Sequence, residues 1–197
     1  MTGVQTCALP IYEVGLADEI DLVVAGGIRN GGDVAKALSL GAKAVALGHA
    51  ALIALNCNKE IPGVTAYEGT VGVPAGECYH CHTGRCPVGI TTQDPELRKR
   101  LVVDEAAERV YNFLHTLTLE VQLIARACGK TNIHSLEPED LAALTTEAAA
   151  MAKVPLAGTN YIPGVSEEKA LQRIETLLDR YLENPIDHLP ERERVEG

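Results

Sequence analysis

Several features that define whole classes of protein are missing from this sequence. No stretch approaches the roughly 18 apolar residues that a membrane-spanning helix needs, so we expect no transmembrane segment. Lys and Arg number 17 against 27 Asp and Glu, and the net charge of −10 disfavours a nucleic-acid partner. The N-terminal residues lack the basic start and apolar core of a secretion signal, and no internal repeat is present. These absences favour a cytoplasmic globular protein of one or two domains.

Cysteine is the residue that this sequence does concentrate. Cys78, Cys81 and Cys86 follow the spacing Cys-x2-Cys-x4-Cys, and Pro87 closes the run. Thiolates on so short a loop can converge on one metal centre, and a Pro after the last Cys recurs in iron–sulfur loops. The spacing therefore favours an iron–sulfur site.

Other interpretations of the same cysteines stay open at this point. A zinc site could take its fourth ligand from His80, His82 or Cys57, and a disulfide is the third possibility. If three thiolates complete the site, the two histidines do not bind the metal and hydrogen-bond a sulfide or a carbonyl instead. Arg85 would then raise the reduction potential of an anionic cluster without a catalytic role.

Upstream of the cysteines, residues 12–57 have the pattern of a βαβα unit. Two short apolar runs, 22–25 and 44–47, are typical of parallel strands buried on both faces. A helix that ends at Gly41 separates them, and a second helix is predicted over 50–55. Glycines after both strands would let the backbone approach a phosphate, although the same glycines could simply form tight turns.

The two patterns together resemble one known family. The stretch Gly-Gly-Ile-Arg-Asn-Gly-Gly-Asp-Val-Ala-Lys-Ala-Leu and the later Gly-His-Ala-Ala-Leu resemble the last two βα units of an FMN-binding barrel. Combined with Cys-His-Thr-Gly-Arg-Cys-Pro-Val-Gly-Ile-Thr-Thr-Gln, the sequence is similar to the FMN-binding domain of glutamate synthase, of the short archaeal or methylglutamate synthase type. The resemblance spans roughly residues 14–160 and implies an α/β fold, the C-terminal part of a TIM-type (β/α)8 barrel.

The resemblance implies two cofactors and the residues that hold them. The loops after barrel strands 7 and 8 would bind the FMN phosphate through five residues: Gly26, Gly27, Arg29, Gly48 and His49. The cysteine motif would bind a [3Fe-4S] cluster through its three thiolates, Cys78, Cys81 and Cys86.

Three departures from the family's pattern bear on these assignments. The large bacterial enzymes have five residues between the first two cluster ligands, and this sequence has two, Tyr79 and His80. His49 stands where a small hydroxyl residue or Arg is frequent, and residues 58–77 form an extra loop. These departures leave open a [4Fe-4S] cluster with Cys57 as fourth ligand.

The reaction that the resemblance implies is the reductive synthesis of glutamate. Electrons would pass through the cluster to FMN, which reduces an imine of 2-oxoglutarate. Ammonia derived from glutamine would come from a glutaminase subunit, and a separate subunit would donate electrons. The catalytic residues themselves stay unknown. The alternatives are another FMN and iron–sulfur barrel oxidoreductase, or a non-catalytic module stapled by zinc.

The N-terminal residues 1–11 resemble a translated sequencing-library adapter, and we expect them to be non-native. A complete barrel needs about 250 residues, so the unit at 12–57 would supply only its last two strands. We therefore expect the 197-residue chain to bind FMN weakly or not at all by itself.

After the cysteine loop at 58–93, a helical region is predicted over 94–183 and a loose tail over 184–197. Asp94 and Pro95 are typical of a helix start. Further helices are predicted over 104–128, 138–144, 145–151 and 166–183. The apolar stripe of the first of these contains Val110, Leu114, Leu117, Val121, Ile124 and Cys128. Cys128 is thus predicted to be a core thiol.

Overall fold

The computed structural model describes residues 14–16, 19–57 and 80–183. They belong to two compact units, one made of residues 1–46 and 118–197, the other of residues 47–117. The predicted adapter-like segment 1–11, most of the loop at 58–93 with the proposed ligand Cys78, and the tail 184–197 lie outside the described residues. The described elements are mixed α/β, as the sequence predicts.

The first unit contains two parallel strands. Strand β1, Val23–Ala25, pairs with β2, Ala44–Ala46, and Val24 lies opposite Val45. Both strands form where the apolar runs predict them, each one residue shorter. The prediction that both faces are buried is wrong: Val24 is buried, but its neighbours Val23 and Ala25 are exposed. The reason is that only one face has a described layer packed on it.

That layer is the helix between the strands. Helix α1, Gly31–Ser39, begins with Asn30, whose side chain accepts a hydrogen bond from the Asp33 N–H at 2.9 Å. It ends before Gly41, which has the positive φ of +95° that glycine adopts without strain. Ala37 of the helix packs with Val24 and Ala42, so burial of one strand face and one helix face forms a small core.

Unit 2 contains the second helix of the βαβα pattern and the segment around the cysteines. Helix α2, His49–Ala54, lies within one residue of its prediction, and a 3₁₀ turn covers His80–His82. Helix α3, Pro95–Arg98, begins as predicted, because the Asp94 carboxylate accepts from the N–H groups of Glu96 and Leu97.

The long predicted helix is present as α4, Val103–Ala127, but its buried face differs from the predicted stripe. Leu117 and Val121 are buried as expected, whereas Leu114 is 41% exposed. Ala125 is buried in addition, so the closest packing follows the i+4 row from Leu117 to Ala125. Cys128 is half-buried, and burial raises the pKa of its thiol, with the charge of Asp140 adding to that effect.

The segment after α4 begins with two 3₁₀ turns, Ile133–Ser135 and Pro138–Asp140. The predicted helix over 138–144 is wrong beyond Asp140. Ala143 instead forms a parallel bridge with Leu156, and its N–H donates to the Pro155 carbonyl at 2.8 Å. This pairing requires extended backbone, which excludes helix at that position.

A buried ion pair supports the same segment. Lys130 is 6% exposed, and its Nζ lies 2.6 Å from Glu137 Oε1 and 3.9 Å from Asp140 Oδ2. Both partners belong to the second 3₁₀ turn or its cap, and the two 3₁₀ turns pack against α1. A buried lysine requires such partners, so we assign this cluster a structural role.

Two further helices complete the first unit. Helix α5, Thr146–Ala152, lies within one residue of the predicted range 145–151, and Thr145 caps it by accepting from the Ala148 N–H. Helix α6, Glu167–Glu183, confirms the prediction for 166–183, and the Lys169 N–H donates to Ser166 Oγ at 3.4 Å. Ile174 and Leu178 of α6 are exposed rather than packed. Among the residues that the model describes, no helix is long and apolar enough to cross a membrane.

Candidate functional site

The clearest candidate site is a small cavity in unit 2 beside the cysteine loop. Its volume is about 10 Å³, and three cysteines that sequence reasoning selected, Cys57, Cys81 and Cys86, lie on its wall. The remaining wall is apolar except for one hydroxyl: Leu52, Pro87, Val88, Ile90 and Thr91. Cysteines 24 to 29 residues apart in sequence thus line the same cavity within one unit.

The loop from Cys86 to Thr91 is folded tightly around the Cys86 sulfur. Burial of this sulfur works to raise the pKa of the thiol, but hydrogen bonds to it outweigh burial and leave the pKa below its usual value. The donors are the backbone N–H groups of Val88, Ile90 and Thr91. The Thr91 hydroxyl also interacts with the sulfur, although it is not aligned as a full hydrogen bond. A sulfur surrounded by donors favours the thiolate, the form that binds metals.

Glycine at position 89 makes this loop possible. Gly89 has a φ of +84°, and a Cβ there would lie 2.3 Å from the Leu97 carbonyl oxygen of α3. Both the backbone conformation and the close approach to α3 exclude a side chain. Gly89 therefore fixes the distance between the cysteine loop and the helix behind it.

Three further hydrogen bonds hold the same loop. The Thr92 hydroxyl donates to the Gly84 carbonyl, and the Asp94 N–H donates to Thr92 Oγ1 at 3.1 Å. Arg100 Nη1 donates to the Pro87 carbonyl at 2.7 Å. These contacts connect both sides of Cys86 to the residues just before and just after α3, so the loop is shaped before any ligand arrives.

The other predicted members of the site are less enclosed. Cys81, His82 and Arg85 are exposed, and the described residues contain no group of three His, Cys, Asp or Glu placed to hold a metal ion. Cys78 and the side chain of His80 lie outside the described part. The full set Cys78, Cys81 and Cys86 consequently stays a prediction, as does a zinc site that uses either histidine.

The predicted phosphate loop after β1 has the expected backbone. Gly26 and Gly27 have φ angles of +92° and +73°, both are exposed, and a Cβ on either would meet nothing within 4 Å. Their conformation requires glycine, and the space above them is open.

Arg29 in the same loop is already paired. Its backbone N–H and its Nε donate to Asp33 Oδ2 at 3.2 and 3.1 Å, and the hydrogen bond from the guanidinium is the main reason that the pKa of Asp33 lies below its usual value. The Gly31 N–H donates to Glu120 Oε2 at 2.7 Å. Asp33 and Glu120 are residues that sequence reasoning missed. Asp33 could have been found from its i+4 spacing to Arg29, whereas Glu120 is 89 residues from Gly31 and leaves no local signal.

The second predicted phosphate loop belongs to unit 2. Gly48 has φ and ψ angles of −116° and −94°, and a Cβ there would meet nothing within 4 Å. His49 begins α2 and is exposed. A phosphate site shared by the two loops stays a prediction.

Comparison with known proteins gives a consistent result. A family model described as a conserved region in glutamate synthase matches residues 1–131. A glutamate synthase large subunit-like protein of Rhizobium meliloti is 55% identical over 78% of this chain and 34% of its own length. An archaeal glutamate synthase [NADPH] of Methanocaldococcus jannaschii is 40% identical over 64% of this chain and 21% of its own length.

More distant relatives extend the same family. The glutamate synthase [NADH] of Schizosaccharomyces pombe is 32% identical over 68% of this chain and 6% of its own length. No solved structure matches the chain. The chain spans about a third or less of the curated relatives named here. Because the family model covers most of the sequence, this chain belongs to the glutamate synthase family.

Proposed function

We propose that this chain is part of an FMN- and iron–sulfur-dependent oxidoreductase that forms glutamate. The observation that carries the proposal is the cavity whose wall includes Cys57, Cys81 and Cys86, within the residues that the family model matches. The Cys86 sulfur there is surrounded by three backbone N–H donors, an arrangement that suits a cluster-ligating thiolate.

The described residues fit an iron–sulfur cluster in their donor chemistry. Cys81 and Cys86 would supply two thiolates, and Cys78 the third of a [3Fe-4S] centre. Cys57 lies on the same cavity wall, and this position supports a fourth thiolate and a [4Fe-4S] centre as the alternative. When bound, the cluster supplies one-electron transfer. The chain's own part is to orient the thiolates and to surround one of them with N–H donors.

The glycine loops fit an FMN phosphate less completely. Gly26 and Gly27 expose their backbone to open space, which suits close approach of an anion. A Cβ at Gly48 would meet nothing within 4 Å, so this loop is also open to a ligand, and His49 begins the helix behind it. Arg29 would bring one positive charge, already shared with Asp33. One face of β1 is exposed. We infer that this face would be covered in a longer protein, in which further strands complete a TIM-type barrel.

The reaction that we propose is reduction of an imine of 2-oxoglutarate to glutamate in the cytoplasm. The flavin supplies hydride transfer when bound. The other reactants are ammonia, which a glutaminase partner would supply, and electrons, which a donor subunit would supply. The relatives are named glutamate synthase [NADPH] and glutamate synthase [NADH], and these names support 2-oxoglutarate over the substrate of another flavin-dependent enzyme.

The test is the metal content of the anaerobically reconstituted chain, together with its EPR spectrum. We expect about three irons with inorganic sulfide and a signal in the oxidised state. About four irons, silent until reduced, would instead bring in Cys57. Stoichiometric zinc without sulfide, persisting through anaerobic iron reconstitution, would overturn the redox function and leave a zinc-stapled module.

A further inference from the structure

Thr91 has a buried hydroxyl that lies beside the Cys86 sulfur but forms no aligned hydrogen bond. Its Oγ1 is one of two buried side-chain polar atoms in the described part of the chain that make no hydrogen bond. Buried hydroxyl groups are normally paired, and an unpaired one calls for an explanation such as a missing ligand. The position of Thr91 on the wall of the cysteine cavity supplies that explanation.

The surroundings of this hydroxyl narrow the choice of partner. The other residues on the cavity wall are three cysteines and four apolar side chains, Leu52, Pro87, Val88 and Ile90. Sulfur is therefore the side-chain acceptor that the described wall offers. A neutral thiol accepts weakly, but a thiolate or a sulfide carries the charge that attracts an O–H donor.

The neighbouring Thr92 shows that the two threonines differ in role. The Thr92 hydroxyl donates to the Gly84 carbonyl, and its oxygen accepts from the Asp94 N–H. Both hydrogen bonds stabilise the loop. The Thr91 side chain makes no such bond to the loop backbone and interacts with the Cys86 sulfur instead. Two adjacent threonines thus differ: one hydroxyl holds the loop, and the other lies beside a cysteine sulfur at the cavity.

We propose that Thr91 is a positioning residue whose hydroxyl donates to a sulfur of the cluster held at this cavity and stabilises its reduced state. The inference rests on the proposed function, because it needs a cluster at the cysteines. On reduction the cluster takes one electron from the donor and gains one negative charge, while the Thr91 proton stays on its oxygen. Hydrogen bonds to cluster sulfurs favour that added charge and raise the reduction potential.

The test compares Thr91→Val with Thr91→Ser in the full chain, reconstituted anaerobically. Valine keeps the shape of threonine without the hydroxyl, and serine keeps the hydroxyl. The measurement is the midpoint potential of the cluster from an EPR-monitored redox titration, alongside iron and sulfide content. We expect T91V to shift the midpoint to a more negative value and T91S to remain close to wild type.

The other outcomes distinguish failure of the role of Thr91 from failure of the proposed function. A T91V chain with wild-type iron content and an unchanged midpoint would overturn the role of Thr91 while leaving the proposed function intact. If T91V and the smaller Thr91→Ala both lose iron and T91S keeps it, the hydroxyl is required to hold the cluster, which supports the inference. Loss of iron from T91S as well would overturn it. A wild-type chain without iron and sulfide would remove the proposed function and this inference together.

Discussion

The cysteine loop and the glycine loop after β1 are built in opposite ways. In the cysteine loop, backbone N–H groups of Val88, Ile90 and Thr91 point at a sulfur that could bind a metal. In the glycine loop, the Gly31 N–H and the donors of Arg29 are satisfied by carboxylates of the same chain, those of Glu120 and Asp33.

The two loops therefore differ in how their N–H donors at these positions are satisfied, although Gly26 and Gly27 of the glycine loop stay open to a ligand. The cysteine loop keeps one buried hydroxyl, that of Thr91, without an aligned hydrogen bond. The glycine loop has anionic groups of its own at the start of α1, where an external phosphate would otherwise find N–H donors. We therefore expect substitutions in the cysteine loop to change metal binding, and substitutions in the glycine loop to change stability.

The largest effect on the cysteine loop is expected from Gly89→Ala. The new Cβ would meet the Leu97 carbonyl at 2.3 Å in a backbone conformation with φ of +84°, so the loop must move away from α3. We expect a loss of about 2–4 kcal/mol in the free energy of unfolding, from overpacking and backbone strain together. Urea denaturation measures it, and iron content should fall in parallel.

Gly84→Ala is the matched control for that substitution. Gly84 has a similar φ of +72°, but a Cβ there would meet nothing within 4 Å. Backbone strain alone costs about 1 kcal/mol. Equal losses for the two variants would show that the contact with α3 contributes nothing to the loop.

A smaller effect is expected in the glycine loop from Glu120→Ala. This change removes the carboxylate that accepts from the Gly31 N–H at 2.7 Å. We expect a loss of about 1–2 kcal/mol in the free energy of unfolding, typical of a hydrogen bond to a charged group, with no change in iron content. Glu108→Ala, at an exposed position of the same helix, is the control and should lose little. A Glu120 variant as stable as the control would mean that this bond does not hold the loop.

The smallest effect concerns the pH dependence of stability. The Arg29 guanidinium holds the pKa of Asp33 below its usual value, so the folded state binds this proton less readily than the unfolded state. The stabilisation is fully present above the unfolded pKa of about 4 and is lost as pH falls through the lower folded pKa. Asp33→Asn should therefore flatten the acid limb of a plot of melting temperature against pH. Asp179→Asn, at an exposed position, should leave that limb unchanged, and an equal slope in both variants would contradict the assignment.

Local sequence signals predict the elements around the site well. Apolar runs bounded by glycine locate β1 and β2, and Asp94 followed by Pro95 locates the start of α3. The helix predicted over 138–144 is wrong because Ala143 pairs with Leu156, a contact between distant residues. Leu114 is exposed because the buried row of the helix runs through Leu117, Val121 and Ala125 and not through the full predicted stripe.

The residues of the candidate site also differ in whether the local sequence predicts them. Spacing identifies Cys81 and Cys86, and the structure brings Cys57 to their cavity. The roles of Thr91 and Glu120 depend on how loops and helices pack, because the local sequence around each residue does not predict its contact.

The central claim is that the cavity of Cys57, Cys81 and Cys86 is a cluster site. The most direct measurement is iron and sulfide content of Cys81→Ser and Cys86→Ser after anaerobic reconstitution, with Cys128→Ser as the control. Cys128 lies in the other compact unit, half-buried and not on the cavity wall. The account predicts that the first two variants lose iron and sulfide and that the control keeps both. Full iron and sulfide in Cys86→Ser would contradict it.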